Sequence, residues 1–133
     1  MALTRVINSG IGVAASIAGE ATASTNLQQG LAKAWIDFDG TGTIATSDSF
    51  NITSIADNGT GDYSVTIAND MASSNYVHAG NSGGANSTSA GAVYAFDQGT
   101  TRTATLFRVL TVTNSGSVVD TPTINIMVSG DLA

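Results

Sequence analysis

Residues 50–69, FNITSIADNGTGDYSVTIAN, decide the fold of this chain. Over residues 63–67, YSVTI, apolar side chains alternate with polar ones, which is the period of a strand with one buried face. Residues 50–56 form a second β-like run, and residues 57–62 between the two runs are rich in the Gly, Asn and Asp that favour tight turns. The stretch therefore predicts an antiparallel hairpin centred on its Asn-Gly dipeptide.

Similar short runs continue on both sides of the hairpin and are separated by turn residues. They lie at residues 35–38, 74–79, 92–97, 102–112 and 123–128. This spacing predicts an all-β fold, an antiparallel β-sandwich or barrel-like module, over residues 34–133. Residues 1–33 are predicted to form an extended N-terminal arm with at most a weak helix at 13–23, and residues 80–91 an exposed, mobile Gly/Ser loop.

The chain carries little charge for its length of 133 residues. Only 11% of residues are charged, the net charge is −6, and Lys and Arg together number four, too few to bind a nucleic-acid backbone. Cysteine chemistry is excluded because there is no cysteine, and a run of about 18 apolar residues that could span a membrane is missing from the sequence.

Isolated sheets usually protect their edges with lysine, other charges or proline, and this chain has one Lys and one Pro. We therefore expect identical subunits or a larger assembly to cover the edges of its sheets. The longest run, 102–112, is apolar on both faces and places Arg108 on the face of Leu106 and Leu110. That position predicts either a β-bulge or an oligomer contact of Arg108 opposite an aspartate.

One acidic segment imitates a calcium loop. Asp37, Asp39, Thr41, Gly42 and Asp48 occupy the first, third, fifth, sixth and twelfth positions of the EF-hand spacing. The flanking runs are β-like, whereas an EF-hand needs two helices, so an EF-hand is excluded. Calcium binding by a loop of another kind stays open.

Two further patterns imitate catalytic motifs. Residues 37–41, DFDGT, resemble the aspartate-nucleophile motif of haloacid-dehalogenase-like phosphatases, but that chemistry needs a downstream lysine and none follows Lys33. Residues 80–84, GNSGG, match the surroundings of a serine nucleophile at Ser82, yet the only histidine, His78, lies four residues before it. We therefore predict no catalytic residues, no metal, no cofactor and no enzymatic activity.

Aromatic residues are candidates for sugar binding, because a ring can stack on the apolar face of a saccharide. The candidates for stacking are Trp35, Tyr63, Tyr76 and Tyr94, and His78, in the same predicted run as Tyr76, is a further binding candidate. With eight aromatic residues in the chain, burial in the core is the competing interpretation of each, Tyr63 included.

A longer block resembles a known module. Residues 34–45, AWIDFDGTGTIA, and 48–63, DSFNITSIADNGTGDY, resemble a module of tail-fibre and tail-type virion proteins of tailed bacteriophages. That module reads A-W-[VI]-N-F-[ND]-G-T-G-T and then S-[FY]-N-V-[ST]-S-I-T-D-N-G-T-G-D-Y. Residues 107–110 and 124–128 look similar too. The chain departs from the pattern at Asp37, where Asn is more common, and this interchange argues against an obligatory metal.

The resemblance implies a non-enzymatic structural protein, located in the virion after assembly in the cytoplasm of the host bacterium. It implies a surface-exposed tail-fibre or distal tail module, a homotrimer that contacts other virion proteins and, through its loops, a host-surface glycan. Two alternatives stay open: a capsid decoration or cement protein whose arm lies over its neighbours, and a free calcium- or glycan-binding adhesin. Nucleic acid and membrane are not expected partners.

Overall fold

A computed structural model describes residues 16–18, 24–26, 30–83, 93–96, 102–113 and 115–133. The chain divides into two units, Met1–Leu31 and Ala32–Ala133. In the first unit, β1 (Ser16–Ala18) pairs antiparallel with β2 (Ser24–Asn26), and Ile17 lies opposite Thr25. The weak helix expected over 13–23 is therefore wrong at 16–18, and the remainder of that segment lies outside the described residues.

The second unit contains eight strands in two four-stranded antiparallel sheets, which confirms the all-β sandwich. The strands are β3 (Ala34–Asp39), β4 (Ala45–Phe50), β5 (Ile52–Gly59), β6 (Asp62–Ile67), β7 (Val77–Gly83), β8 (Val93–Phe96), β9 (Leu106–Val112) and β10 (Thr123–Ser129). Sheet I has the order β4-β3-β10-β7, and sheet II has the order β5-β6-β9-β8.

The core lies between the two sheets and follows the alternation of the sequence. Sheet I contributes Ile36, Phe38, Ile124, Ile126 and Val128, and sheet II contributes Tyr63, Val65, Ile67, Phe107 and Val109. The rings of Phe38 and Tyr63 meet edge to face with centroids 5.2 Å apart, a favoured aromatic geometry. The outward-facing residues of the same strands are thereby placed on two opposite outer faces.

The predicted hairpin is confirmed as β5 and β6, but its turn lies two residues further on than expected. Gly59 pairs with Asp62, so the turn residues are Thr60 and Gly61. Gly61 has a φ of 65°, and a Cβ at this position would lie 2.7 Å from the Thr111 carbonyl oxygen. Only glycine satisfies both the conformation and the close approach.

The chain passes from sheet I to sheet II at Asn51, between β4 and β5. Asn51 has a φ of 57°, a left-handed conformation that Asn tolerates better than most residues. Its side-chain amide donates to the Lys33 carbonyl oxygen at 2.9 Å, and its side-chain oxygen accepts from the Asn69 backbone N–H at 2.7 Å. These bonds fix the corner that joins the two sheets.

The free edge formed by β4 and β5 carries its own protection. Three register shifts occur along it, and each leaves one extra residue in β4 or β5, at Ser47, Thr53 and Asn58. Bulges twist an edge and make it a poor template for a further strand. Irregular pairing therefore gives this edge a protection of the kind that lysine and proline give elsewhere. The expectation that neighbouring subunits cover the edges of the sheets stays a prediction.

Two further expectations change. The strand expected at 74–79 runs from Val77 to Gly83 instead, so the first four residues of the expected 80–91 loop are strand. Residues 84–92 lie outside the described part of the chain. The bulge considered for Arg108 is absent from the described β6–β9 pairing, which continues without a shift from Asp62 opposite Leu110 to Thr66 opposite Leu106.

Candidate functional site

The outer face of sheet I forms an open groove with a volume of about 450 Å³. Two rows of side chains cross the four strands of this face, and every member except Phe50 lines the groove. The apolar row contains Ala79, Met127, Trp35 and Phe50, which the strand register places side by side. The polar row lies two residues further along each strand and contains Asn81, Asn125, Asp37 and Asp48. Residues of both rows line the groove.

The apolar row is unusually open to solvent for its composition. Phe50 is 54% exposed and Met127 is 51% exposed, and Trp35 between them is half-buried. Trp35 alternates with the buried Ala34 and Ile36, so its indole lies on the outer face. The sheet thus presents an aromatic ring flanked by flexible apolar side chains rather than covering them.

The polar row contains a local conflict. Asp37 and Asp48 are direct cross-strand partners, and like charges in this arrangement repel and destabilise a sheet. None of the groove-lining residues within the described chain is Lys or Arg. Within the same part of the chain, Asp37, Asn81 and Asn125 have no side-chain hydrogen-bond partner. The row therefore holds carboxylates and amides whose hydrogen-bonding capacity is left for an external group.

Among the aromatic candidates and His78, Trp35 is the one whose described side chain lies in this groove, and Asp37 and Asp48 of the calcium-like spacing lie there too. Tyr76 is 3% exposed and His78 is 4% exposed, and both pack against Phe107 in the interior. Tyr63 also belongs to the core. Tyr94 pairs with Thr111 through its backbone in β8, and its side chain lies outside the description. The buried side chains of Tyr76 and His78 are thus not offered to an external ligand.

His78 is a residue of the interior. Its ring lies 4.8 Å from that of Phe107 between the sheets. Burial, with a smaller contribution from the positive charge of Arg102, lowers the pKa of His78 to about 4. Ser82 lies four residues along the same strand, about 13 Å away at the rise of an extended chain, so the two cannot form a nucleophile and base pair.

The fold does not bring the residues with the EF-hand spacing together in one loop. Asp39 ends β3, and its Oδ1 accepts hydrogen bonds from the Thr41 backbone N–H at 2.8 Å and from the Thr41 hydroxyl at 2.6 Å. These bonds lower the pKa of Asp39. Asp37 and Asp48 lie on the sheet instead of in the loop. Across the described residues, no group of three or more His, Asp or Glu side chains is placed to hold a metal ion.

Arg108 has a partner within its own chain. It lies opposite Ser64 and reaches diagonally along sheet II to Asp62, whose Oδ1 accepts from Nε at 2.6 Å and whose Oδ2 accepts from Nη2. This bidentate pair lowers the pKa of Asp62. The predicted pairing of Arg108 with an aspartate is present, and it is intramolecular. A role of Arg108 in an oligomer contact stays a prediction.

Sequence reasoning missed four groove residues: Asp48 as a surface group, Asn81, Asn125 and Met127. Part of the signal was present, because Trp35 with Asp37, and Asn125 with Met127, share a face by simple alternation. The register that aligns β7, β10, β3 and β4 depends on long-range pairing, and a shift of one residue would have turned these side chains inward.

Comparison with known proteins gives no relative from which a function could be transferred: no family model, curated protein or solved structure matches this chain. Among the described residues there is also no helix long and apolar enough to cross a membrane.

Proposed function

We propose that this chain is a non-enzymatic structural protein of a tailed-phage virion. It forms a surface-exposed tail-fibre or distal tail module that contributes to assembly and to attachment at the host surface. The proposal rests on two features. Residues 34–45 and 48–63 resemble the phage tail module, and residues 32–133 fold as a β-sandwich.

One observation carries the proposal: the outer face of sheet I, a surface of four paired strands, has an open groove. Its side chains stand on four hydrogen-bonded strands, so a bound group would meet preorganised contacts. In the described residues, the groups that catalysis would need are separated. His78 is buried, and Ser82 lies far along its strand. A surface of this kind suits attachment.

Self-association belongs to the same proposal, and the proposed state is a homotrimer, as the resemblance implies. Large apolar side chains outside the groove are exposed, among them Val118 at 48% and Leu132 at 44%. Burial of such side chains against other subunits is favourable by about 25 cal/mol per Å² of apolar surface. Because the β4–β5 edge is bulged, we expect contacts at that edge to use side chains instead of a continuous intersubunit sheet.

A second placement, on the capsid as a decoration or cement protein, is favoured by the division of the chain. The first unit, Met1–Leu31, contains the antiparallel strand pair of β1 and β2. In this placement, the arm docks on neighbouring capsid subunits.

Particle labelling tests the proposal. An antibody raised against the sandwich, residues 32–133, should label purified virions by immunogold electron microscopy, at the distal tail for the first placement and on the head for the second. Labelling of neither, with the chain absent from purified particles by mass spectrometry, would overturn a virion role. In light scattering at micromolar concentration, a species near three times the 13.3 kDa chain mass is expected, and a 13.3 kDa species would contradict the trimer.

A further inference from the structure

We propose that the groove on the outer face of sheet I binds a neutral, linear oligosaccharide, with Trp35 as the stacking platform and the polar row as the recognition site for hydroxyl groups. This inference deepens the proposed function and rests on it for the source of the sugar, a bacterial surface. The binding itself is a property of the isolated chain.

The first argument is the combination of side chains. A pyranose ring has an apolar C–H face and a rim of hydroxyl groups, each of which both donates and accepts. The half-buried indole of Trp35, with Met127 beside it, offers the apolar surface. Asp37 offers acceptors one row away, and Asn125 offers both an acceptor and donors. The two rows therefore match the two chemical halves of a sugar ring.

The second argument is the dimension of the groove. The polar row crosses four strands, and at the usual strand spacing it extends about 14 Å from Asn81 to Asp48. The groove is open, so a ligand could continue beyond it at either end. A chain of several sugar rings fits this shape, whereas a single compact ligand would leave most of the row unused.

The third argument is charge. Two carboxylates, Asp37 and Asp48, face each other in the groove, and none of its described lining residues is a cation. An acidic saccharide would add like charge to a chain of net charge −6 and would be repelled. A neutral saccharide instead donates its hydroxyl protons to the carboxylates in charge-assisted hydrogen bonds.

The same charge argues against a face-to-face contact between the grooves of two copies of this chain. Such a contact would bring the Asp37–Asp48 pairs of both copies into one desolvated interface, and none of the described lining residues of the groove is a cation. Burial of unpaired carboxylates is strongly unfavourable. The free hydrogen-bonding capacity of Asn81 and Asn125 would also need partners that an apolar neighbour does not offer.

Calorimetric titration of the full chain with defined hexasaccharides tests the inference. The neutral probes are maltohexaose, cellohexaose, mannohexaose and N-acetyl-chitohexaose, and the acidic probe is hexagalacturonate. We expect at least one neutral probe to bind and hexagalacturonate not to bind. Absence of binding to every neutral probe at millimolar concentration would overturn the proposal, even if the chain labels virions.

Variants locate the binding. Trp35→Ala should weaken binding of the neutral probe at least about tenfold, which corresponds to about 1.4 kcal/mol, and Trp35→Phe should restore most of it. Asp37→Asn with Asp48→Asn should keep a polar groove but remove its charge, so that hexagalacturonate gains affinity. Leu110→Ala truncates a partly buried apolar side chain on the outer face of sheet II, so it is the matched control and should leave binding unchanged. Full affinity in Trp35→Ala, with circular dichroism showing a folded chain, would contradict the assignment.

Discussion

The two sheets of this sandwich share one core but treat the polar residues on their outer faces in opposite ways. On sheet II, Asp62 receives the Arg108 guanidinium, and Asn58 donates to Asp62 at 3.2 Å and to the Ser64 hydroxyl at 2.8 Å. On sheet I, Asp37 faces another carboxylate, Asp48. One face satisfies its own polar groups, and the other leaves them open.

The difference separates stability from function. A network such as that of sheet II contributes to the free energy of folding, and part of the hydrogen-bonding capacity of its members is used within the sheet. An arrangement that violates a local rule, such as two facing aspartates, is expected where binding requires it. The comparison therefore places the functional surface on sheet I, and variants on the two sheets should behave differently.

The largest expected effect tests whether β7 has one buried face and one exposed face. His78 faces the core, and its pKa of about 4 lies below its ordinary value of 6.5. The folded state thus favours neutral His78. The free energy of unfolding should keep its full value above about pH 6.5 and should fall by on the order of 3 kcal/mol as the pH decreases toward 4. This fall in the free energy of unfolding should be smaller in the His78→Leu variant. Urea unfolding at several pH values measures it.

His78 is the only histidine, so its imidazole signals in NMR report this titration without interference. A midpoint near 4 is expected. A midpoint near 6.5 would mean that the ring is accessible, and the division of β7 into an inner and an outer face would fail.

The next effect compares the hairpin turns of the two sheets. Gly61→Ala, in sheet II, combines a left-handed φ with a Cβ 2.7 Å from the Thr111 carbonyl oxygen and the Val119 nitrogen, and should cost about 2–3 kcal/mol. Gly42→Ala, in the β3–β4 turn of sheet I, has a φ of 61° but no atom within 4 Å of the added Cβ. It should cost about 1 kcal/mol. Equal losses of unfolding free energy would refute the close approach at Gly61.

The smallest effect contrasts two aspartates directly. Asp62→Asn breaks the pair with Arg108 and should lower the unfolding free energy by about 1 kcal/mol near neutral pH. Because the pKa of Asp62 is lowered in the folded state, this contribution is present above its ordinary pKa and is lost as the pH falls through the lowered value. Asp62→Asn and the parent chain should therefore converge in strong acid.

The Asp37→Asn substitution should change the free energy of unfolding in the opposite direction. It relieves the repulsion from Asp48, so the unfolding free energy should be unchanged or higher by up to about 0.5 kcal/mol. A loss as large as that of Asp62→Asn would show that Asp37 has a stabilising role, and the contrast between the two faces would not hold.

Much of the fold follows from local patterns. The alternation over 63–67 and 124–128 correctly predicts which side chains are buried, because a strand with one wet face has no other way to hide apolar groups. The turn was misplaced because both Asn58-Gly59 and Thr60-Gly61 contain a glycine suited to a turn, and the contact of Gly61 with Thr111, fifty residues away, decides between them.

The candidate site was less predictable. Trp35 was identified by residue type, but Tyr76 and His78 share its aromatic character and belong to the core. Only the pairing of β10 with both β3 and β7 brings Asn81, Asn125 and Asp37 into one row. Pairing between strands far apart in the sequence is set by the whole core, and no short motif encodes it.

The most direct test of the contrast between the two faces is an NMR titration of the ¹⁵N-labelled chain with the neutral hexasaccharide that binds most tightly. The account predicts that the Trp35 indole N–H and the side-chain amides of Asn81 and Asn125 shift, while the signals of Arg108 and Asn58 on sheet II stay in place. Shifts concentrated on sheet II, with the Trp35 indole unmoved, would contradict it.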